Sequence, residues 1–333
     1  MPLRIVFCGT PAFAAPSLRH LIAQPDFEIV SVVTQPDRPR GRGNQISISP
    51  VKAIAIESGI PVYQPEKIKS VESLDYFKRL APDVVVIIAY GQIISARLIE
   101  IPRLGWINLH ASLLPKYRGA APINWAILNN EKITGLTTMQ IDAGLDTGPM
   151  LLQYETPIGP DETAPQLTAR LAEAGAPLIS ETLRRLDQGD ITLAPQNNSK
   201  ATFAPLLKKN DGLIEWNLSV ANIYNRIRGL QPWPGAFTTF RGKNCQIWGR
   251  PLSQADIQSS PGQDVPVGVA QPSGQTESPP VGVIKSSRFG IFVQCGSAGA
   301  LVLEHVQLEG RNRITAQEFV NGAHLAPGER FGA

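Results

Sequence analysis

An amide and an imidazole stand at the end of an apolar run in the segment NLHASLLPKYRGAAP (108–122). Side chains alternate along a strand, so Asn108 and His110 share one face and Leu109 takes the other. An amide donor beside an imidazole can bind a developing oxyanion or move a proton near neutral pH. A structural role fits these two residues equally well, with the histidine satisfied in the core and the asparagine capping a turn.

A second polar segment, MQIDAGLDTGPML (139–151), begins where another predicted strand ends. Asp142 and Asp146 lie among its glycines, where acids often only cap turns. An aspartate beside an Asn–His pair is nevertheless suited to attack of a neutral amine on an acyl carbon. The asparagine and histidine would bind the oxyanion, while the aspartate holds the histidine and receives the amine proton. The sequence therefore indicates Asn108, His110 and one of the two aspartates, Asp142 or Asp146, as catalytic candidates.

Cofactor motifs that would indicate other chemistry are missing from the sequence. The first predicted strand leads into CGTPAF (8–13), where Gly9 stands alone in place of a glycine-rich phosphate loop. This pattern argues against a nicotinamide enzyme or a kinase. The three cysteines (Cys8, Cys245 and Cys295) and the four histidines are scattered without metal-ligand spacing. No metal is expected.

Arginines alternate with proline and glycine in the loop TQPDRPRGRG (34–43), which contains Arg38, Arg40 and Arg42. An ordinary surface loop is one interpretation, but an exposed arginine loop beside an active site is better explained as a clamp on phosphate or nucleic acid. Residues 200–250 hold eight Lys and Arg against two acids, although the net charge of the chain is only +3. Such a stretch is either a solvated surface or a site for a polyanion.

The first half of the chain alternates apolar runs with helical patterns. Strands are predicted at 3–8, 28–34, 83–90, 106–110 and 136–141, and helices at 11–23, 50–58, 70–81, 119–130 and 161–188. The run VVVIIA (84–89) is apolar throughout, as in a central strand covered on both faces. The alternation predicts a doubly wound, Rossmann-like α/β sheet.

The second half contains short β-branched or aromatic runs between glycine-containing turns. These runs are 236–242, 245–250, 281–286, 290–295 and 300–308. They predict a small β-barrel or sandwich. In residues 253–280, 19 of 28 are Ser, Gln, Pro, Gly or Thr, which indicates a disordered insertion between two strands. A chain of 333 residues with this change near a polar stretch at 190–208 is expected to form two domains.

Composition also limits where the protein works. No apolar stretch reaches the roughly 18 residues of a membrane-spanning helix. An apolar run begins directly after Met1 and Pro2, which leaves no room for a cleavable leader. An odd number of scattered cysteines indicates no disulfide framework, so the reduced cytoplasm is the expected compartment. Nothing indicates an obligate dimer, and a monomer is expected.

Seven blocks of sequence, in order, resemble the methionyl-tRNA formyltransferases of the 10-formyltetrahydrofolate-dependent formyltransferase family. The blocks are FCGTPAF, TQPDRPRGRG, SPVK, VVIIAYGQII, INLHASLLPKYRGAAPINWAI, GLTTMQIDAGLDTGPML and LQPWPGAF. The resemblance runs from about residue 3 to 250 and is weaker beyond. The segments SLLPxxRGAAP and GLDTG belong to the wider family, whereas the arginine loop and the C-terminal domain point to the branch that acts on tRNA. The insertion at 253–280 is longer than the family's usual loop.

The resemblance implies transfer of a formyl group from 10-formyltetrahydrofolate to the amino group of methionyl-initiator tRNA. Asn108, His110 and Asp146 match the family's catalytic trio. The expected folate contacts are Ile88, Ala89, Tyr90, Gly91, Gln92, Ser112, Leu113, Leu114 and Pro115. The expected tRNA contacts are Arg38, Arg40, Arg42, Lys208 and Lys209. The implied domains are a catalytic domain at 1–189, a linker at 190–208 and an OB-like tRNA-binding domain at 209–333.

Three other functions remain open on the sequence. A formyltransferase of the same fold could act on a small amine, such as a glycinamide nucleotide or an amino sugar, but it would need neither the arginine loop nor the second domain. A hydrolase could release formate from the same folate. A non-enzymatic RNA-binding protein could use the basic domain alone, although the intact Asn108, His110 and Asp146 argue against it.

Overall fold

The computed structural model describes residues 1–40, 45–252, 280–287, 290–296 and 299–332. The chain forms two compact units. The N-terminal unit comprises Met1–Ile123, Lys132–Ile158 and Gln166–Pro205, and the C-terminal unit comprises Asn124–Glu131, Gly159–Pro165 and Leu206–Ala333. None of the described helices is long and apolar enough to cross a bilayer.

A seven-stranded sheet forms the centre of the N-terminal unit. The strands of this half of the chain are β1 (Leu3–Gly9), β2 (Phe27–Val33), β3 (Pro39–Arg40), β4 (Gln45–Ile46), β5 (Val62–Tyr63), β6 (Val84–Ile88), β7 (Trp106–His110), β8 (Ile133–Gln140) and β9 (Met150–Pro157). The order in the sheet is β5-β2-β1-β6-β7-β8-β9. Pairing is parallel from β5 to β7 and antiparallel from β7 to β9. The predicted α/β fold is confirmed, and β9 is a strand that the sequence patterns did not predict.

Helices connect these strands. They are α1 (Ala15–Ile22), α2 (Pro50–Glu57), α3 (Val71–Leu80), α4 (Ala96–Ile99), α5 (Pro122–Leu128) and α6 (Ala164–Gln188). The start of α2 is capped by Ser49, whose hydroxyl accepts from the Lys52 amide at 3.1 Å. Ser70 caps α3 in the same way, accepting from the Ser73 amide at 3.2 Å. These caps satisfy amides that have no partner within the helix.

Strands β1 and β6 lie in the middle of the sheet, and every residue of β6 is buried. On one face of the sheet Phe77 of α3 stacks on Trp106 at the start of β7, with ring centroids 5.3 Å apart. The indole nitrogen of Trp106 donates to the Leu98 carbonyl at 2.8 Å. Dense packing of this kind resists displacement, so the carboxyl ends of β6 and β7 are firm supports for polar side chains.

An antiparallel sheet forms the C-terminal unit. Its strands are β10 (Phe237–Phe240), β11 (Lys243–Pro251), β12 (Ile284–Ser287), β13 (Gly290–Gln294), β14 (Ala300–Leu308) and β15 (Ile314–Thr315). The order is β10-β11-β14-β13-β12, with β15 paired to β14. An antiparallel β domain is confirmed, while its closure into a barrel stays a prediction. Residues 253–279 of the predicted insertion lie outside the described residues.

Two helices of the C-terminal unit were not predicted, namely α7 (Val220–Gly229) and α8 (Ala316–Ala323). Thr315 and Glu318 form a capping box at the start of α8, because each side chain accepts from the other's backbone amide. Phe319 of α8 packs edge-on against Phe240 of β10, with ring centroids 4.9 Å apart. This helix therefore supplies part of the apolar core that covers the sheet.

Candidate active site

Strand β7 lies between β6 and β8 and carries two of the three predicted catalytic side chains. Asn108 is in register with Ile87 of β6 and Met139 of β8, and His110 is in register with Thr137. His110 is buried, with 6% of its surface exposed, whereas Asn108 is partly exposed. Among the described residues, no protein group hydrogen-bonds the side-chain amide of Asn108. That side-chain amide is therefore free to donate to a ligand.

His110 has two different neighbours on its two ring nitrogens. Nε2 lies 2.9 Å from the carbonyl oxygen of Tyr117, and Nδ1 lies 3.7 Å from Oδ2 of Asp146. A carbonyl oxygen can only accept, so Nε2 carries a proton in this contact. In the neutral ring Nδ1 is then the bare nitrogen, and it faces the carboxylate. The structure brings His110 and Asp146 together as the sequence predicted.

Asp146 is held in place by contacts from distant parts of the chain. Its Oδ2 accepts from the Gly119 amide at 2.8 Å, and its side chain is 18% exposed. Its backbone is left-handed, with φ at 51°. The side chain of Gln196 donates to the carbonyls of Asp146 and Gly148, both at 2.8 Å. Few non-glycine residues adopt this conformation without such support.

The neighbouring acid, Asp142, has a different role. Its carboxylate accepts from the Gly144 amide at 3.0 Å and from the Thr147 hydroxyl at 2.7 Å. These contacts close a turn, which is the structural role that glycine-rich loops give to acids. Of the two carboxylates that sequence patterns left open, Asp146 is the one near His110.

The predicted folate segment Ile88 to Gln92 consists of the last residue of β6 and the loop that follows it. Ala89 and Gly91 have left-handed backbones, with φ at 48° and 88°, and both are exposed. The ring of Tyr90 is buried, which raises the pKa of its hydroxyl, and its carbonyl accepts from the Gln35 side chain at 2.9 Å. The Gln92 side-chain oxygen accepts from the amide of residue 68 at 2.7 Å. The Gln92 amide thus supports the loop.

The second predicted folate segment, Ser112 to Pro115, is tied to β8 through Thr137. The Thr137 hydroxyl donates to the Ser112 carbonyl at 2.7 Å and accepts from the Leu114 amide at 3.1 Å. The Gln153 side chain donates to the Leu114 carbonyl at 3.0 Å. Ser112 is fully buried, and its hydroxyl donates to the carbonyl of residue 116 at 2.6 Å. The Ser112 side chain is therefore committed to the fold.

The predicted tRNA contacts lie in both units. Arg38 is exposed and pairs with Glu66 at 3.0 Å. Arg42 and the side chain of Arg40 lie outside the described residues. Lys208 and Lys209, in the C-terminal unit, have exposed side chains.

Sequence patterns did not identify several residues of the site. The carbonyl that orients His110 belongs to Tyr117, whose amide donates to the Thr202 hydroxyl at 2.9 Å. The Arg118 amide donates to the carbonyl of residue 202 at 2.9 Å, and its carbonyl accepts from residue 204 at 2.7 Å. Gln196, Thr202 and Ala204, within the predicted linker at 190–208, therefore contribute to this site. Of these residues, only Arg118 stands at a fixed position of a family motif, the arginine of the SLLPxxRGAAP segment.

Comparison with known proteins places this fold and site in a family. The model of the formyl transferase family matches residues 3–183, and the model of the formyl transferase C-terminal domain matches residues 206–324. The chain therefore belongs to the formyl transferase family. It is 47% identical over 330 residues to the methionyl-tRNA formyltransferase of Geobacter sulfurreducens, covering 99% of this chain and 97% of that protein. The methionyl-tRNA formyltransferase of Microcystis aeruginosa is 48% identical over 99% of both chains.

Solved structures share the fold at low sequence identity. A sugar 3N-formyl transferase, solved in the presence of dTDP and 5-N-formyl-THF, has a TM-score of 0.64 and 18% identity, covering 94% of this chain and 100% of that one. An N-formyltransferase of Helicobacter canadensis, in complex with folinic acid and dTDP-3-aminofucose, has a TM-score of 0.62 and 17% identity, covering 91% and 99%. These likenesses support the same architecture.

Removing the Thr137 hydroxyl should loosen the segment from Ser112 to Pro115. We expect Thr137→Val to lower the free energy of unfolding by about 1–3 kcal/mol, because the buried Leu114 amide and Ser112 carbonyl lose a partner. Urea denaturation followed by far-UV circular dichroism measures this. Thr137→Ser keeps the hydroxyl and is the matched control, with a smaller loss. Equal losses in the two variants would show that the hydroxyl is not what holds the segment.

Proposed function

We propose that the protein transfers the formyl group of 10-formyltetrahydrofolate to the amino group of methionine esterified to initiator tRNA. In this proposal Asn108, His110 and Asp146 carry out the transfer. The observation that carries it is the buried His110, whose Nδ1 faces the Asp146 carboxylate at 3.7 Å. Likeness to methionyl-tRNA formyltransferases over 99% of the chain supports the choice of acceptor.

The acceptor needs little activation. An α-amino group has a pKa of roughly 7.7–8.0, and esterification of the carboxyl group lowers it, so much of the amine is neutral at physiological pH. Its lone pair attacks the formyl carbon, a C–N bond forms, and the carbonyl π electrons move to oxygen. Collapse of this intermediate breaks the bond to N10 of the folate. The site therefore has to orient the amine, bind an oxyanion and move a proton.

Each side chain has a place in these steps. The side-chain amide of Asn108, which has no partner among the described residues, donates to the oxyanion. The Nε2 proton of His110 is engaged with the Tyr117 carbonyl at 2.9 Å, so Nδ1 is the nitrogen that acts. Asp146 receives the proton that the attacking amine loses and passes it to Nδ1, and the carboxylate so restored stabilises the imidazolium. Protonated Nδ1 then donates this proton to the departing N10, so N10 gains the one proton that the amine gives up.

The folate co-substrate would lie at the carboxyl ends of the strands, as ligands do in open α/β sheets. The two segments flanking this edge are Ile88 to Gln92 and Ser112 to Pro115. Their side-chain amide and hydroxyl, on Gln92 and Ser112, are already bonded within the protein. We therefore assign folate contacts in these segments to backbone groups and to apolar surface. No cluster of metal-ligating side chains occurs among the described residues.

The tRNA would be held by positive charge from both units. We propose Arg38, Arg40 and Arg42 as contacts at the acceptor end. Lys208 and Lys209 add charge near the start of the C-terminal unit. In this proposal residues 1–189 are the catalytic domain, 190–208 the linker and 209–333 an OB-like tRNA-binding domain. The proposal also has the protein act as a monomer in the cytoplasm.

Substrate class is tested by offering three acceptors in parallel with 10-formyltetrahydrofolate. We expect formyl transfer to methionyl-initiator tRNA and none to uncharged tRNA or glycinamide ribonucleotide. The appearance of tetrahydrofolate is followed by absorbance, and formylmethionine by hydrolysis of the ester. Transfer to the small amine would overturn the choice of acceptor, and release of formate without an acceptor would indicate the hydrolase.

The role of Asp146 is tested by Asp146→Asn, which keeps the shape of the side chain and removes its charge. We expect turnover to fall by about 10²–10⁴-fold, because the amine proton loses its acceptor, while filter binding of methionyl-tRNA stays close to wild type. Asp142→Asn is the matched control in the same loop and should keep its turnover, since its carboxylate only closes a turn. Normal turnover in Asp146→Asn would contradict the assignment.

A further inference from the structure

Arg118 is a buried cation whose side chain, among the described residues, bonds only neutral groups. It is 4% exposed. Its Nε and Nη2 donate to Oε1 of Gln196 at 3.0 and 2.7 Å, and Nη2 also donates to Oδ1 of Asn198 at 2.8 Å. Within the part of the chain that the structure describes, no carboxylate lies within ion-pairing distance of it. Burying a charge is costly unless its hydrogen bonds are satisfied, so a pair with a carboxylate does not explain its position.

Gln196 uses every atom of its side-chain amide. Oε1 accepts from Arg118, and Nε2 donates to the carbonyls of Asp146 and Gly148, both at 2.8 Å. A guanidinium can only donate, so Arg118 fixes the orientation of the amide: Oε1 faces the guanidinium and Nε2 faces the loop. The opposite orientation would set donors against donors. Arg118 thereby aims both N–H groups of Gln196 at the backbone around Asp146.

The backbone around Asp146 needs such support. Its φ of 51° is left-handed, a conformation that few non-glycine residues adopt without support from the surrounding structure. Its carboxylate is held separately by the Gly119 amide, next to Arg118 in sequence. The backbone of Arg118 is in turn bonded to residues 202 and 204. Both the carbonyl and the carboxylate of Asp146 thus depend on the same small group of residues.

We propose that Gln196, oriented by Arg118, is a positioning residue for Asp146 and keeps its carboxylate in reach of Nδ1 of His110. This role rests on the proposed function, in which Asp146 receives the amine proton. Gln196 touches neither substrate and acts only through the Asp146 backbone. A displacement of about 1 Å at a catalytic group can cost on the order of 10²-fold in rate.

Gln196→Met tests the proposal, because it keeps the length of the side chain and removes all four hydrogen bonds. We expect kcat to fall by about 10–100-fold, with the KM values for methionyl-tRNA and folate little changed. Asn198→Ala is the matched control, since it removes a hydrogen bond to the same guanidinium without touching the Asp146 loop. Its kcat should stay near wild type. An equal fall in Asn198→Ala would contradict the proposal, because it would tie the loss to the surroundings of the guanidinium and not to the two N–H groups of Gln196.

The second arm places Gln196→Met in the Asp146→Asn background. A residue that acts through the Asp146 carboxylate loses most of its effect once that carboxylate is gone, so the two losses should be far from additive. Full additivity, or a wild-type kcat in Gln196→Met, would overturn the proposal. If Gln196→Met fails to fold, Gln196→Glu replaces it, because its carboxylate pairs with Arg118 but cannot donate to the two carbonyls. A wild-type kcat in Gln196→Glu would likewise overturn the proposal.

The catalytic role of Asp146 and the positioning role of Gln196 are contradicted by different results. Normal turnover in Asp146→Asn contradicts the catalytic role of Asp146 itself. Loss of turnover in Asp146→Asn together with normal turnover in Gln196→Met contradicts only the positioning role of Gln196.

Discussion

The hydrogen bond between Nε2 of His110 and the Tyr117 carbonyl, 2.9 Å long, fixes which ring nitrogen carries the proton in the neutral imidazole. With Nε2 committed as a donor, Nδ1 is the ring nitrogen that faces Asp146, and in the proposed mechanism it moves the proton. The carbonyl is held in place because the Tyr117 amide bonds to the Thr202 hydroxyl at 2.9 Å. The backbone of Tyr117 is also left-handed, with φ at 62°. The hydrogen-bond partner of His110 is therefore held by Thr202, which is 85 residues from Tyr117 in the sequence.

Formation of the site follows from the order of strands in the sheet. The parallel pair β6–β7 brings the two segments after these strands to one edge, and the antiparallel partner β8 delivers the loop that contains Asp146. The stacked rings of Phe77 and Trp106 lie at the opposite end of β7 and anchor it in the core. Arg118, Gln196 and Gly119 then fix the Asp146 loop from outside the sheet. Core packing positions the histidine, and polar contacts position the aspartate.

Sequence patterns predicted the parts of the fold where burial is one-sided or complete. The predicted span 106–110 coincides with β7, and the apolar run at 84–89 contains β6. Strand β9 was missed because it is largely exposed and shows no clean alternation. Helix α8 was also missed, although Thr315 and Glu318 have the spacing of a capping box.

The catalytic candidates were predictable because chemistry limits the residue types, but the contacts that select among them were not. Asp142 and Asp146 stand four residues apart in one glycine-rich loop, and their contacts separate them: Asp142 bonds Thr147 in the same loop, whereas Asp146 bonds the distant Gly119. Gln196 lies 50 residues from Asp146 in a polar stretch that resembles a linker. Side chains that act through backbone carbonyls leave no pattern in a single sequence.

The most direct test of this arrangement is the tautomer of His110 in the enzyme. Protein labelled with ¹⁵N on its four histidines gives imidazole nitrogen shifts by NMR, and His110→Gln identifies the signals that belong to this ring. In the neutral form we predict a protonated Nε2 and a bare Nδ1. A neutral ring with its proton on Nδ1 would contradict the hydrogen bond to Tyr117 and with it the assignment of Nδ1 as the acting nitrogen.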